Sequence, residues 1–190
     1  MHRFIPRALA VCASAAIAVS PAFAASDLTG QSIAVNWDFA STPVSIAERT
    51  VTVGGGPEIQ CAGGSAGPDL CAFFVDGATI DLGANTLSLS IDSGTSSWTP
   101  AGFNGYEFSN LSSGGPWTGY TLSTTFAGLD ASRITFTPDA VWINMQDIQP
   151  VAGQSFTITL QTSAVPEPGN FALLLAGLGV FACAVLRRRA

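Results

Sequence analysis

Between residues 25 and 164 the apolar side chains recur at alternate positions in short runs, and glycine, asparagine or aspartate ends each run before it reaches helical length. A period of two places successive side chains on opposite faces, so each run supplies one apolar and one polar face, the signature of a half-buried strand. Ile33, Val35, Trp37 and Phe39 form one such face, Leu87, Leu89 and Ile91 another, and Ile46, Val51 and Val53 a less regular third. Further alternating runs occupy residues 120–126, 134–137, 141–145 and 156–160. Asp76-Gly77 separates residues 73–75 from 80–82, and Gly83-Ala84-Asn85 separates the latter from 86–91, which predicts two successive hairpins. Strands roughly every ten residues, with no helical period between them, predict an all-β fold: an antiparallel β-sandwich spanning 25–164.

The two ends follow different rules. Arg3 and Arg7 precede an apolar stretch from Ala8 to Val19, and Pro21-Ala22-Phe23-Ala24 supplies small residues where a signal peptidase reads them. The stretch is apolar all round and about a dozen residues long, too short to span a bilayer. Residues 1–24 therefore read as a signal peptide cut after Ala24. At the other end, Val165-Pro166-Glu167-Pro168 leads into sixteen apolar residues, 171–186, followed by Arg187, Arg188 and Arg189. The prolines on either side of Glu167 hold it extended, outside any helix or sheet ladder, as a processing groove requires. The apolar run would rise about 24 Å as a transmembrane helix, with the arginines as a cytoplasmic stop-transfer signal. Both basic ends then mark the cytoplasm, and the part between them is translocated.

With the ends set aside, twelve acidic residues stand against Arg49 and Arg133, a formal net charge of −10, and the chain has no lysine. Such a surface repels phosphate backbones, which excludes nucleic acid and leaves neutral sugars, proteins or cations as partners. Serine and threonine make up about a quarter of this body, which keeps exposed strand faces soluble without lysine. Of four cysteines, Cys12 and Cys183 lie in the end segments, so Cys61 and Cys71 remain as an even pair in an exported domain and read as a disulfide. The bridge would close a glycine-rich loop and stabilise the fold by roughly 3 kcal/mol on chain-entropy grounds. Without histidine in the body, no metal site or cofactor is expected from the ligands that transition metals prefer. Asp76, Asp81 and Asp92 could meet calcium in loops, although the twelve-residue helix-loop-helix pattern is absent.

The proline-glutamate-proline motif, apolar run and arginine cluster, covering residues 165–190, resemble the PEP-CTERM sorting signal. The resemblance implies an inner-membrane exosortase that cuts near Pro166-Glu167-Pro168 and passes the protein to the cell surface or extracellular matrix of a Gram-negative bacterium. The competing reading is a plain single-span anchor behind a proline-rich linker. Three segments of the body, residues 50–58, 102–108 and 126–130, resemble uncharacterised exported proteins that end in the same tail, a likeness that supplies no activity. Asn110-Leu111-Ser112 fits the N-glycosylation pattern, an incidental match in a bacterial protein.

Two stretches look catalytic. Gly63-Gly64-Ser65-Ala66-Gly67 has the form of a hydrolase nucleophile turn, yet it lies inside the expected disulfide loop and no histidine in the body can take the serine proton. Asp92-Ser93-Gly94, delivered by an apolar strand, resembles the active-site turn of aspartic proteases. That chemistry needs a second carboxylate sharing one proton, and the chain holds no second copy of the tripeptide. Asp-Ser-Gly is also an ordinary way to end a strand. The expectation is thus a non-enzymatic surface or matrix protein, processed by signal peptidase and exosortase and able to meet extracellular polysaccharide. An exported carboxylate-dependent hydrolase using Asp92 is the alternative.

Overall fold

The computed structural model describes residues 26–40, 45–61, 70–73, 77–95 and 97–162, all within the unit Ala25–Ser163. The expected signal peptide at 1–24, the sorting motif and apolar run at 165–190, Asp76 and the glycine-rich motif at 63–67 lie outside the described residues.

Ten strands follow in sequence: β1 (Ser32–Ala40), β2 (Ser45–Thr52), β3 (Ile59–Cys61), β4 (Ala78–Leu82), β5 (Thr86–Ile91), β6 (Phe103–Ser109), β7 (Trp117–Thr124), β8 (Ile134–Phe136), β9 (Ala140–Asn144) and β10 (Ser155–Thr162). They form two five-stranded sheets, ordered β2-β1-β6-β9-β8 and β3-β4-β5-β10-β7, with antiparallel neighbours throughout. The described residues are all-β, as the alternating pattern predicts. Among the described residues the helical segments are short 3-10 turns, and no helix is long and apolar enough to cross a membrane.

Alternation decides which face of each sheet is dry. Ile33 and Val35, Tyr106 and Phe108, and Val141 and Ile143 bury one face of the first sheet. Ile80 and Leu82, Leu87, Leu89 and Ile91, and Phe156, Ile158 and Leu160 do the same for the second, and both sets join one core. Burying each such side chain is worth roughly 1.5–3 kcal/mol, so this shared face is the main cohesive force. Phe126 and Phe156 meet edge to face, with ring centroids 5.8 Å apart, at its β10 side.

The hairpin through Gly83-Ala84-Asn85 forms as expected, with Leu82 opposite Leu87 and Ala78 opposite Ile91. The preceding hairpin does not. Residues 70–73 form a 3-10 turn, and β4 pairs with the three-residue β3 instead, Cys61 opposite Ala78. The disulfide explains the difference: Cys61 and Cys71 are joined at an S–S distance of 2.03 Å with their Cα atoms 5.1 Å apart, which ties the 3-10 turn back to the end of β3.

β6, the middle strand of the first sheet, shows no clear period in the sequence because its inward row runs Asn104, Tyr106, Phe108, with a polar group at its head. Asn104 is 2 % exposed and fully engaged. Its Oδ1 accepts from Trp37 Nε1 at 3.1 Å and its Nδ2 donates to the Thr99 carbonyl at 3.0 Å. Next to it, Gly105 lies so close to β9 that a methyl group there would stand 1.9 Å from the Ile143 carbonyl oxygen.

The first and last described segments meet at one turn. Leu28 N donates to the Ala84 carbonyl at 2.7 Å, Leu160 N donates to the Asn85 carbonyl at 2.8 Å, and Asn85 Nδ2 returns a bond to the Leu160 carbonyl at 3.2 Å.

Candidate functional site

The strand register gathers polar groups on the face of the first sheet that turns away from the core. Asn36 of β1 stands opposite Glu48 on β2 and Glu107 on β6, and Glu107 stands opposite Trp142 on β9. One row across the sheet thus reads Glu48, Asn36, Glu107, Trp142. In the next row Asp38 faces Gly105, which faces Asn144.

Asp38 is 2 % exposed, although it belongs to the outer row. Burial raises the pKa of its carboxyl to about 6, and the negative charge and hydrogen-bonding oxygen of Glu107 push it in the same direction. Asn36 Nδ2 donates to Glu107 Oε2 at 3.3 Å. Asp38 Oδ1 and Asn36 Oδ1 are both buried and neither receives a hydrogen bond. Two carboxyl groups thus meet with the Asn36 amide donating to one of them, in contrast to Asn104 on the opposite face, whose oxygen and nitrogen are both engaged.

The sign of the pH effect follows from the raised pKa. The folded state holds the Asp38 proton more tightly than the unfolded chain, whose aspartate titrates near 3.8, so this contribution to stability is complete below that value and is lost as pH rises through about 6. Two pKa units correspond to about 3 kcal/mol. Directly opposite Asp38 stand Gly105 on β6 and Ser45 on β2, and the charged groups of the neighbouring row are Glu107 on β6 and Glu48 on β2; the β9 positions of these rows carry Trp142 and Asn144, which do not titrate. In metal-free buffer, Asp38→Asn is therefore expected to raise unfolding stability by up to about 3 kcal/mol near pH 8 and to leave it nearly unchanged near pH 4. Urea denaturation at the two pH values checks this, and an equal effect at both would remove the raised pKa as its cause.

The sequence-predicted candidates sit elsewhere. Asp92 ends β5 in an exposed turn, where its oxygens accept from Thr79 Oγ1 at 2.6 Å and Ser90 Oγ at 2.9 Å. Asp92 N and Ser93 N donate to the Gly77 carbonyl at 2.7 and 3.3 Å, Ser93 Oγ accepts from Gly77 N at 2.9 Å, and Gly94 adopts φ 66°. These bonds make the turn a clamp between the ends of β4 and β5. Among the described residues no second carboxylate meets Asp92. Asp81 lies within β4 opposite Ser88, not in a loop. Asn110 of the glycosylation-like tripeptide spends its side-chain amide on the Ser32 carbonyl. Among the described residues no three His, Cys, Asp or Glu side chains cluster as a metal site. Asp38 and Glu107 were not legible as partners in the sequence; the aromatic neighbours Trp37 and Phe39 are the one local sign that Asp38 lies in a crowded setting.

A second concave region lies at the end of the other sheet. Ser26, Asn85, Trp117, Thr118, Gly119, Thr159, Leu160, Gln161 and Thr162 line a cleft of about 590 Å³ with hydroxyl and amide groups and no charge. Trp117 forms part of the lining while its Nε1 donates to the Leu111 carbonyl at 2.8 Å.

A family model for the PEP-CTERM protein-sorting motif matches residues 164–189. The chain carries that motif, which implies an exported protein of Gram-negative bacteria, processed at the membrane by an exosortase. No curated protein and no solved structure matches the chain significantly.

Proposed function

We propose that this is a non-enzymatic surface or extracellular-matrix protein. A signal peptide at 1–24 starts its export, the apolar run at 171–186 holds it briefly in the inner membrane, and exosortase cleavage near Pro166-Glu167-Pro168 releases a β-sandwich body. The match of residues 164–189 to the sorting motif carries the reading. The uncharged cleft beside Asn85 and Gln161 supports extracellular polysaccharide as the partner, because hydroxyl and amide groups match the hydroxyls of neutral sugars and an acidic body disfavours anionic polymers. Intact-mass analysis of protein recovered from a host with an active exosortase tests the processing. The expected product lacks residues 1–24 and 171–190, and a product still ending at Ala190 would make the segment a retained anchor.

A further inference from the structure

The outer-face cluster has an electrostatic arrangement that its own groups do not complete. Glu107 and Asp38 bring two carboxyl groups together, Glu107 holds the Asn36 side chain through its amide nitrogen, and the buried oxygens Asp38 Oδ1 and Asn36 Oδ1 receive no hydrogen bond. Buried acceptors without donors are costly, and a second carboxylate beside the buried Asp38 adds to the cost. Arg133 is committed elsewhere. Arg133 donates to the Gln146 carbonyl at 2.7 Å, Arg49 stands opposite Val35 in the alternate row, and the chain has no lysine.

We propose that Asp38, Glu107 and the Asn36 side-chain oxygen form a calcium-binding site on the outer face of the first sheet. The donors are all oxygen, two of them carboxylates and one an amide carbonyl, which suits a hard cation and not a thiolate- or imidazole-seeking metal. Calcium accepts six to eight oxygens in irregular geometry, so three protein groups with water in the remaining positions form an ordinary low-affinity extracellular site. The cation satisfies both orphaned oxygens and removes the repulsion between the carboxylates.

The test uses the full chain, exported in a Gram-negative host, purified and stripped with chelator. Calorimetric titration with calcium near pH 7.5 is expected to give one ion per chain with Kd of about 10⁻⁴–10⁻³ M. Asp38→Asn and Glu107→Gln keep the side-chain shapes and should each weaken binding at least about tenfold, whereas Asp81→Asn, in the other sheet, should not. Thermal unfolding supplies a second readout in which the signs oppose: without calcium, Asp38→Asn melts higher than the parent chain, and with saturating calcium the parent gains several degrees that the variant does not. Absence of saturable binding up to about 10 mM calcium would overturn the proposal. Equal loss in all three variants would overturn it too, by assigning the binding to diffuse negative charge.

Discussion

Gly105→Ala is expected to destabilise the protein by about 4 kcal/mol or more, enough to abolish accumulation of folded chain in a domain of ordinary stability. The added methyl would stand 1.9 Å from the Ile143 carbonyl oxygen and 3.0 Å from the Met145 backbone nitrogen. Neither is the end of a flexible side chain. Relief requires β9 to move away from β6, and that movement would break the pairing of Tyr106 with Ile143 and of Phe108 with Val141 in the core face of the sheet. Gly119→Ala is the comparison, because the same methyl in β7 meets Gln161 Oε1 at 3.5 Å, an ordinary contact. That change should alter stability by less than about 1 kcal/mol, and with a favourable sign, since glycine weakens a strand interior. Urea denaturation of both chains measures the difference, and a Gly105→Ala protein as stable as Gly119→Ala would mean that β6 and β9 are not so closely apposed.

The second large effect is all-or-none. With Pro166-Glu167-Pro168 changed to alanines, the apolar run and the three arginines remain, so membrane insertion should persist while release is abolished. The expected result is a full-length C-terminus in the inner-membrane fraction of a host with an active exosortase. Deletion of residues 171–190 removes the hydrophobic stop and should produce the reverse, a soluble exported body that never pauses in the membrane. A host lacking the exosortase should treat the unaltered chain as it treats the alanine variant. Release of the alanine variant at the normal rate would show that the prolines and Glu167 act only as a spacer.

What the sequence disclosed, and what it hid, follows from how far each feature reaches along the chain. Leu87, Leu89 and Ile91 declare their strand because burial alternates within six residues, and the Gly83-Ala84-Asn85 turn sits beside them. Cys61 and Cys71 are readable by elimination, since the body has no other thiol. β3 is too short, at three residues, to show a period, and Phe73, read as the start of a strand, ends a 3-10 turn that the disulfide ties to β3. β6 is masked by an inward asparagine whose partners, Trp37 and Thr99, come from other parts of the chain. The outer-face cluster is the extreme case. Asn36 and Glu107 are 71 residues apart, and only the β1–β6 register makes them neighbours. Apart from the aromatic neighbours Trp37 and Phe39, nothing within either strand distinguishes Asp38 and Glu107 from acids on a solvated face, while Asp92, in a familiar-looking turn, attracts notice and proves to be part of a clamp.

The Ala84–Asn85 turn that holds both Leu28 and Leu160 has a mechanical consequence for export. A body whose incoming and outgoing segments leave side by side can complete its sheets while tethered at both ends, because bringing the ends together is already part of the native fold and costs no further chain entropy. The Asp92–Thr95 turn and the exposed Val151, which Thr95 meets in an isolated bridge, lie at the other end of β5 and β10.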